Sequence, residues 1–342
     1  MSDRDVSRGG TAKPGTSKSS SRAWGFRIAA VGLAVLIALA LGEIFLRFFP
    51  PSSISFGNDE KGLMYSYDGQ LGWFPTTNLV MQVTTSRTFG VTNNSQGFRD
   101  IEPVVDDKPG IMFLGDSFVW GFDVEASERF TDKLQARHPE WNIYNLGVCG
   151  YGSDQEFLLL QRLFDHYKPR VVCLIYCSDN DEKDNSWNIS DGGYYKPYYV
   201  FEEGRLTLKG VPVPRSERVF YTEHRWVGGS YLMQLFVRAY YKVISPGRMG
   251  NDSVPGSVTG MILKEMRDYV QSKGAVFVIG VQGPNLQLEA YLEQIHVLYL
   301  DLTTFSPAHR YVEFGAHWTP EGHTFVSEKL HEILVKGMYA PE

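Results

Sequence analysis

A serine, a glycine, an asparagine and a histidine stand at four separate points of the chain where their chemistry would be complementary. Ser117 lies in FLGDSF, Gly147 in NLGVCGYG, Asn180 in SDND and His317 in HWTPEGH. A serine hydroxyl is a weak nucleophile at neutral pH and needs a neighbouring base, which an imidazole can provide. The tetrahedral intermediate of acyl transfer then needs fixed hydrogen-bond donors around its oxyanion. A backbone N–H at Gly147 and the side-chain amide of Asn180 are suited to that task.

Short apolar runs precede these residues and predict the strands that would position them. Five strands are expected, over residues 111–114, 142–145, 171–176, 275–281 and 297–300. Helices are expected over residues 128–137, 153–164, 258–272 and 286–294, with a final helix starting at Thr319-Pro320. This alternation predicts an α/β domain with a mostly parallel sheet and helices on both faces. Because ligands of such sheets bind beyond the carboxyl ends of the strands, the loops after residues 114, 145, 176 and 301 should share one rim.

The four segments, in this order, resemble the sequence blocks of the SGNH (GDSL) hydrolase family. The resemblance covers about residues 90–338, and the segments 92–99 and 317–323 are similar to membrane-anchored members of that family. The His317-Trp318 ending is also similar to an alginate acetyltransferase-like branch. The resemblance implies a flavodoxin-like three-layer sandwich, with Ser117 as nucleophile and His317 as base. It also implies that Gly147 and Asn180 are the oxyanion donors.

One position departs from the family pattern. The family has an aspartate two or three residues before the base, whereas this chain has Phe314 and Gly315 there. Loss of the orienting acid can lower the rate by about 10⁴ where the triad works as a unit. Three hypotheses remain at this stage. Glu313 or Asp301 substitutes for the acid, or Ser117 and His317 work as a dyad oriented by a backbone carbonyl, or the site is impaired and retained for binding.

An apolar segment near the N-terminus predicts a membrane anchor. Residues 28–49 are interrupted only by Glu43 and Arg47, which are spaced to pair on one helix face. Residues 1–27 contain six basic and two acidic residues, so this segment is +4 and the rest of the chain, with a total charge of −6, is −10. Positive charge before the span predicts a cytoplasmic N-terminus. The catalytic domain would then be extracytoplasmic or periplasmic, on a single-pass anchor in the plasma (inner) membrane. A cleaved signal peptide is the rival interpretation, but no small-x-small cleavage pattern follows the apolar run.

The chain is expected to divide into four parts. Residues 1–27 are predicted to be a disordered tail, 28–49 the membrane helix, 50–108 a linker and lead-in, and 109–342 the hydrolase domain. An insertion at about residues 182–250 is rich in Tyr, Trp, Gly and Pro and contains a predicted helix at 231–243. Its tyrosine cluster at 194–199 would either stack on sugar rings or pack internally.

The composition of the chain argues against several classes of binding partner. The acidic body argues against nucleic acid, because phosphate binding needs clustered Lys and Arg. Spacings typical of metal ligands do not occur, and we expect neither a metal nor a cofactor. The three cysteines, Cys149, Cys173 and Cys177, are too few for a disulfide framework and are interpreted as buried thiols.

Together these patterns predict a membrane-anchored extracytoplasmic serine esterase or O-acyltransferase. Its substrate would be an acylated small molecule or, more specifically, an acylated carbohydrate or envelope glycan. The alternative is a catalytically impaired glycan-binding protein of an envelope or polysaccharide complex, which rests on the missing aspartate and the aromatic insertion. Lipase-like action on membrane lipids fits the anchor but lacks an apolar lid in the sequence.

Overall fold

The computed structural model describes residues 18–50, 64–250, 257–312 and 315–338. These residues belong to two compact units. One unit is Met1–Phe56 with Trp226–Val237, and the other is Gly57–Arg225 with Arg238–Glu342.

The helices and the strands of the described residues are given separately below, each numbered in chain order. The helices are α1 (Lys18–Phe48), α2 (Ser117–Trp120), α3 (Phe130–Arg137), α4 (Ser153–Tyr167), α5 (Asp181–Asn185), α6 (Glu217–Glu223), α7 (Tyr231–Ile244), α8 (Ser257–Ser272), α9 (Leu286–Gln294) and α10 (Pro320–Met338). The strands are β1 (Tyr65–Asp68), β2 (Gly72–Pro75), β3 (Val80–Thr84), β4 (Thr88–Thr92), β5 (Gly110–Gly115), β6 (Asn142–Asn145), β7 (Val171–Cys177), β8 (Tyr198–Glu202), β9 (Arg205–Lys209), β10 (Val276–Gln282) and β11 (Leu298–Asp301). Short 3-10 helices lie at Ala126–Glu128, Arg225–Gly229 and Pro307–His309.

A five-stranded sheet in the order β11-β10-β7-β5-β6 forms the centre of the second unit, and every neighbouring pair in it is parallel. All five predicted strands are present, which confirms the α/β prediction. The strand register places Gly115, at the end of β5, opposite Ile175 near the end of β7. The loops that follow these strands therefore emerge at the same edge of the sheet.

Helices cover both faces of this sheet because its central strands are apolar on both sides. Ile111 and Phe113 of β5 pack with α3 and α10, while Met112 and Leu114 pack with α4 and α8. Strands β5 and β7 are buried along their whole length. This pattern is typical of parallel sheets enclosed between two helical layers and confirms the three-layer sandwich.

Two hairpins precede the sheet in sequence, β1 with β2 and β3 with β4. Trp73 and Phe89 of these hairpins are buried in the same apolar cluster as the sheet. The indole of Trp73 donates to the carbonyl of Cys149 at 3.3 Å, and the hydroxyl of Tyr151 donates to the carbonyl of Trp73 at 2.5 Å. The described part of the predicted linker is thus packed against the loop that follows β6.

The insertion contains the hairpin β8–β9 and the helices α6 and α7. Of its tyrosine cluster, Tyr194, Tyr195 and Tyr199 are buried, and the Tyr194 ring lies 6.0 Å from the ring of Trp73. These three rings pack internally, so they are not available to stack on a sugar.

Helix α1 begins at Lys18, so the last residues of the predicted disordered tail, from 18 to 27, are helical. Residues 1–17 lie outside the described part of the chain. Ala23–Phe48 is long and apolar enough to cross a membrane, by length and composition.

Candidate active site

Ser117 is the first residue of α2, directly after β5. Asp116 caps this short helix, because its carboxylate accepts the Phe118 N–H at 2.9 Å. The serine side chain therefore lies at the carboxyl edge of the sheet, where the strand register brings the other loops together.

Ser117 and His317 are in direct contact. Their Oγ and Nε2 atoms are 2.8 Å apart, although the two residues are 200 positions apart in sequence. This distance is that of a hydrogen bond from a serine hydroxyl to a general base. The sequence prediction that these two side chains form a pair therefore agrees with the geometry.

The imidazole of His317 is held between aromatic rings. The ring centroids of Phe118 and Phe122 lie 5.3 Å and 4.7 Å from its own. The next residue, Trp318, is fully buried and packs edge-on against Phe118 at 4.8 Å. These contacts leave the ring few orientations, so Nδ1 points away from Ser117 in a defined direction.

Asp123 lies in that direction. Its Oδ2 is 3.6 Å from Nδ1 of His317, an ion-pair separation slightly longer than a hydrogen bond. Asp123 has 0% of its side chain exposed. Burial opposes its ionisation, but contacts from His317 and Thr85 outweigh burial and hold the pKa of the Asp123 carboxyl below its usual range. An ionised, oriented carboxylate thus stands behind the base, the arrangement of a Ser-His-Asp triad.

The turn between β3 and β4 fixes Asp123. Thr85 donates its hydroxyl to Oδ1, the Ser86 N–H donates to Oδ1 at 3.1 Å, and the Ser86 hydroxyl donates to Oδ2 at 3.4 Å. Asp123 itself has a φ of 66°, a left-handed conformation that aspartate tolerates better than most residues. A hairpin from the lead-in segment therefore positions the acid.

The two predicted substitutes for this acid are not observed in that place. Asp301 ends β11, is exposed, and uses Oδ1 to accept the Thr303 N–H at 2.7 Å. Glu313 lies outside the described residues. Gly315 adopts a φ of 88°, and a Cβ there would lie 3.0 Å from Cε1 of His317. A side chain at Gly315, one of the two positions where the family pattern has an aspartate, would therefore be strained and would press on the imidazole of His317. Phe314, the other position, lies outside the described residues.

Gly147 does not lie on the cavity that contains Ser117. Its N–H donates to Oδ1 of Asn145 at 3.1 Å, and a Cβ at this position would lie 2.4 Å from the backbone nitrogen of Trp120. Gly147 is therefore a close-approach glycine that lets the loop after β6 pack against α2. Gly150, three residues further on, does line the cavity, and its N–H has no protein acceptor among the described residues. The oxyanion role predicted for Gly147 fits Gly150 better.

Asn180 does line the cavity, and carboxylates orient its amide. Its Nδ2 donates to Asp116 at 3.0 Å and to Asp184 at 3.3 Å. Burial raises the pKa of Asp116, and it raises the pKa of Asp184 to about 6. Donation to an oxyanion would require Asn180 to give up the longer contact, the one with Asp184.

The cavity has a volume of about 520 Å³ and opens to solvent. Four aspartates line the cavity, and no lysine or arginine is among the described lining residues. The aspartates are Asp116, Asp179, Asp184 and Asp191. Two of them have cations nearby, since Arg310 lies 3.8 Å from Asp179 and Lys183 lies 2.5 Å from Asp191. Within the described ranges, no group of three or more His, Cys, Asp or Glu residues is arranged to bind a metal.

Fold and site together define a parallel α/β domain with a serine, a histidine and an aspartate in line at its carboxyl edge. No protein-family model matches the chain, and no curated protein matches its sequence. Among solved structures it is similar to a lipolytic protein of the G-D-S-L family from Veillonella parvula, at 14% identity over 66% of this chain and 98% of that one, with a TM-score of 0.39.

It is also similar to an acetylxylan esterase from Geobacillus stearothermophilus, at 10% identity over 70% of this chain and 98% of that one, with a TM-score of 0.37. An esterase from a Pseudoalteromonas species matches at 10% identity over 66% of this chain and 97% of that one, with a TM-score of 0.38. At these levels of similarity, the chemistry of the present chain is inferred from the geometry of its own site.

Proposed function

We propose that this protein is a serine esterase or O-acyltransferase that uses Ser117, His317 and Asp123. The observation that carries the proposal is the alignment of the three side chains, with 2.8 Å from Ser117 to His317 and 3.6 Å from His317 to Asp123. The three side chains have the positions that the reaction needs, and the cavity beside them is open to a substrate.

Acylation would begin with proton transfer from the Ser117 hydroxyl to Nε2 of His317 as Oγ attacks the ester carbonyl. The carbonyl oxygen becomes an oxyanion, which the N–H groups of Ser117 and Gly150 and the amide of Asn180 would stabilise. The imidazolium then returns its proton to the departing alcohol as the ester C–O bond breaks. Asp123 would stabilise the imidazolium and would fix the tautomer of the neutral imidazole before and after the proton transfers.

Deacylation repeats these steps with a second oxygen nucleophile. His317 removes a proton from water or from an acceptor hydroxyl as the new oxygen attacks the acyl carbon. The bond between the acyl carbon and Oγ of Ser117 then breaks, and the imidazolium returns the proton to Oγ. Water gives hydrolysis and an alcohol gives transfer. The open cavity is large enough to hold an acceptor beside the acyl-enzyme.

We propose a neutral, polar ester as substrate, such as an acylated carbohydrate or envelope glycan. Support comes from the hydroxyls of Thr85 and Ser190 and from the carboxylates of Asp179 and Asp191 along the cavity. These groups can hydrogen-bond sugar hydroxyls. This supply of polar partners along the cavity supports a carbohydrate ester as substrate.

We also propose that α1 anchors the protein in the plasma (inner) membrane with the catalytic domain outside the cytoplasm. Support comes from the apolar stretch Ala23–Phe48 and from the excess of basic residues that precede it. Reporter fusions test this orientation.

Covalent labelling tests the proposed chemistry. The full chain in detergent micelles should react stoichiometrically with a fluorophosphonate at Ser117 and hydrolyse a short-chain nitrophenyl ester. Ser117→Ala should lose both properties, because no other hydroxyl contacts His317 among the described residues. Ser66→Ala, which removes a hydroxyl on β1 that contacts only a backbone carbonyl, serves as the matched control. Hydrolysis that persists in Ser117→Ala would refute the proposal.

The binding-protein alternative relied on a missing acid and on an aromatic insertion that could hold sugars. Two observations count against it. Asp123 lies 3.6 Å from His317, and Tyr194, Tyr195 and Tyr199 of the tyrosine cluster are buried. An unlabelled Ser117 in a protein that still binds glycans would restore this alternative.

A further inference from the structure

Glu43 is an ionisable residue within the apolar helix α1, and it has several hydrogen-bond donors around it. Its carboxylate accepts the Ser230 hydroxyl at 2.9 Å, the Tyr231 N–H at 3.2 Å and the Leu232 N–H at 3.0 Å. Arg47 completes the set, with its Nε 3.1 Å from Glu43. The carboxylate therefore caps the N-terminus of α7, where unpaired backbone N–H groups and the helix dipole favour a negative charge.

Two further contacts join these helices. Arg47 donates from Nη2 to the carbonyl of Gly229 at 3.0 Å. The side chain of Leu232 lies beside Gly42 of α1, where a Cβ would be at 3.7 Å. The C-terminal end of α1 and the first half of α7, up to Val237, lie in the same compact unit. The start of α7 is thus attached to α1 about one and a half turns before α1 ends at Phe48.

Helix α7 presents an apolar face to solvent. The exposed fractions are 59% for Phe236, 60% for Tyr240 and 83% for Val243. The remaining members of this face are also exposed and are Met233 and Ile244. At about 100° per residue these five side chains fall within an arc of about 100°. We call this set the α7 apolar face.

Charge on α7 lies elsewhere on its circumference. Arg238 and Lys242 project from the side opposite the α7 apolar face, at the same 100° spacing. Trp226, just before α7, is 70% exposed. A helix with one apolar face, basic residues on the other side and an exposed tryptophan at its start has the composition of helices that lie in a membrane interface.

The attachment to α1 sets the depth of α7. Glu43 is five residues before Phe48, which corresponds to about 7.5 Å along the axis of α1. Interfacial helices insert about 5–10 Å into the boundary between headgroups and acyl chains. If α1 spans the bilayer, the N-terminus of α7 is therefore held at the level where such helices lie.

We infer that α7 is an in-plane membrane helix whose apolar face docks into the phospholipid interface beside the α1 span, with Glu43 holding its N-terminus there. The inference rests on the proposed anchoring by α1. The contacts of Glu43 determine where along α1 the helix α7 is attached. The depth and composition of α7 identify phospholipid as the partner of its apolar face.

Site-directed spin labelling of the full chain in liposomes of phosphatidylcholine and phosphatidylglycerol tests the inference. Single cysteines replace Val243, on the α7 apolar face, and Lys242, on the opposite side, while the three native cysteines are buried. The label at Val243→Cys should be several-fold more accessible to oxygen than to a water-soluble nickel complex. The label at Lys242→Cys should show the reverse order.

A third spin label tests the membrane anchoring by α1 independently of the docking of α7. Leu36→Cys lies within the apolar stretch of α1 and should be accessible to oxygen alone. If it is reached by nickel, the anchoring itself fails. If Leu36→Cys behaves as expected but Val243→Cys is reached by nickel, α7 lies in water and the docking is refuted. A Val243→Cys label shielded from both reagents would show that protein, for example a second copy, covers the face and would also refute lipid docking.

Discussion

The carboxylate of Asp123 lies within ion-pair distance of His317 and is held in place by hydrogen bonds. Three donors from Thr85 and Ser86 occupy its oxygen atoms, and Oδ2 remains directed at Nδ1 of His317. A carboxylate on this side of the ring favours a proton on Nδ1, which would leave Nε2 free to accept the serine proton. In the proposed mechanism Asp123 therefore acts through the histidine.

Asp123→Asn should lower kcat by about 10²–10⁴ with little change in KM, because the amide can hold the wrong histidine tautomer. Steady-state kinetics on a nitrophenyl ester measure this effect. Asp301→Asn is the matched control, since Asp301 is exposed and contacts the backbone of Thr303 only. Equal losses in the two variants, or none in Asp123→Asn, would mean that Ser117 and His317 work without this acid.

At this scale the sequence predicted Ser117 and His317 as a pair, and it did not point to Asp123. Ser117 and His317 occur in recognisable segments, whereas Asp123 is recognised only by what surrounds it in space. Its partners come from a hairpin turn 37 and 38 residues earlier and from a histidine near the C-terminus. The sequence could have identified Gly150 as an oxyanion donor. The segment NLGVCGYG contains this second glycine directly before Tyr151, and its backbone N–H can approach a ligand as closely as that of Gly147.

Among the elements, the short helix α2 and the loop after β6 depend on each other. Gly147 lets this loop approach the backbone of Val119 and Trp120, in the helix that begins with Ser117. Any side chain at Gly147 would meet backbone atoms, which do not move aside as a flexible side chain would. The position of the nucleophile thus depends on a glycine outside the cavity.

Gly147→Ala should lower the free energy of unfolding by about 1–3 kcal/mol, since the added methyl overpacks this contact. It should also reduce kcat by displacing α2. Denaturant unfolding and ester hydrolysis measure the two effects. Gly69→Ala is the control, because the added Cβ would lie 3.6 Å from the Tyr67 hydroxyl, an ordinary contact. A Gly147→Ala protein with wild-type stability would show that the loop adjusts without cost.

Strands were predictable because each is an apolar run ended by glycine or a polar loop, as in Ile111–Leu114. The hairpins of residues 64–92 were less visible, since their strands are only four or five residues long and mix polar with apolar side chains. Their burial comes from a few large residues such as Trp73 and Phe89, whose contacts with the sheet domain are tertiary. Local patterns therefore predicted the sheet and a short β-like segment over residues 80–85, but not the pairing of the hairpins or their packing against the sheet.

For the whole molecule, the proposed topology separates a basic N-terminal tail from an acidic catalytic domain. Alkaline phosphatase fused after residue 342 should be active, and a green fluorescent protein in its place should be dark, because each reporter works on one side only of a bacterial inner membrane. Replacing Arg22 and Arg27 by glutamate should reduce this asymmetry, since positive charge sets the orientation. If the green fluorescent protein fusion is fluorescent and the phosphatase fusion is inactive, the C-terminal domain is cytoplasmic and the proposed topology is wrong.

The separation of the catalytic partners along the chain has a consequence for biosynthesis. Ser117 and Asp123 leave the ribosome long before His317, which follows Ser117 by 200 residues. In the proposed mechanism, a nascent chain therefore holds the nucleophile without its base and cannot turn over an ester during that time. Ester hydrolysis should arise late, when the segment that carries His317 and α10 folds onto the sheet.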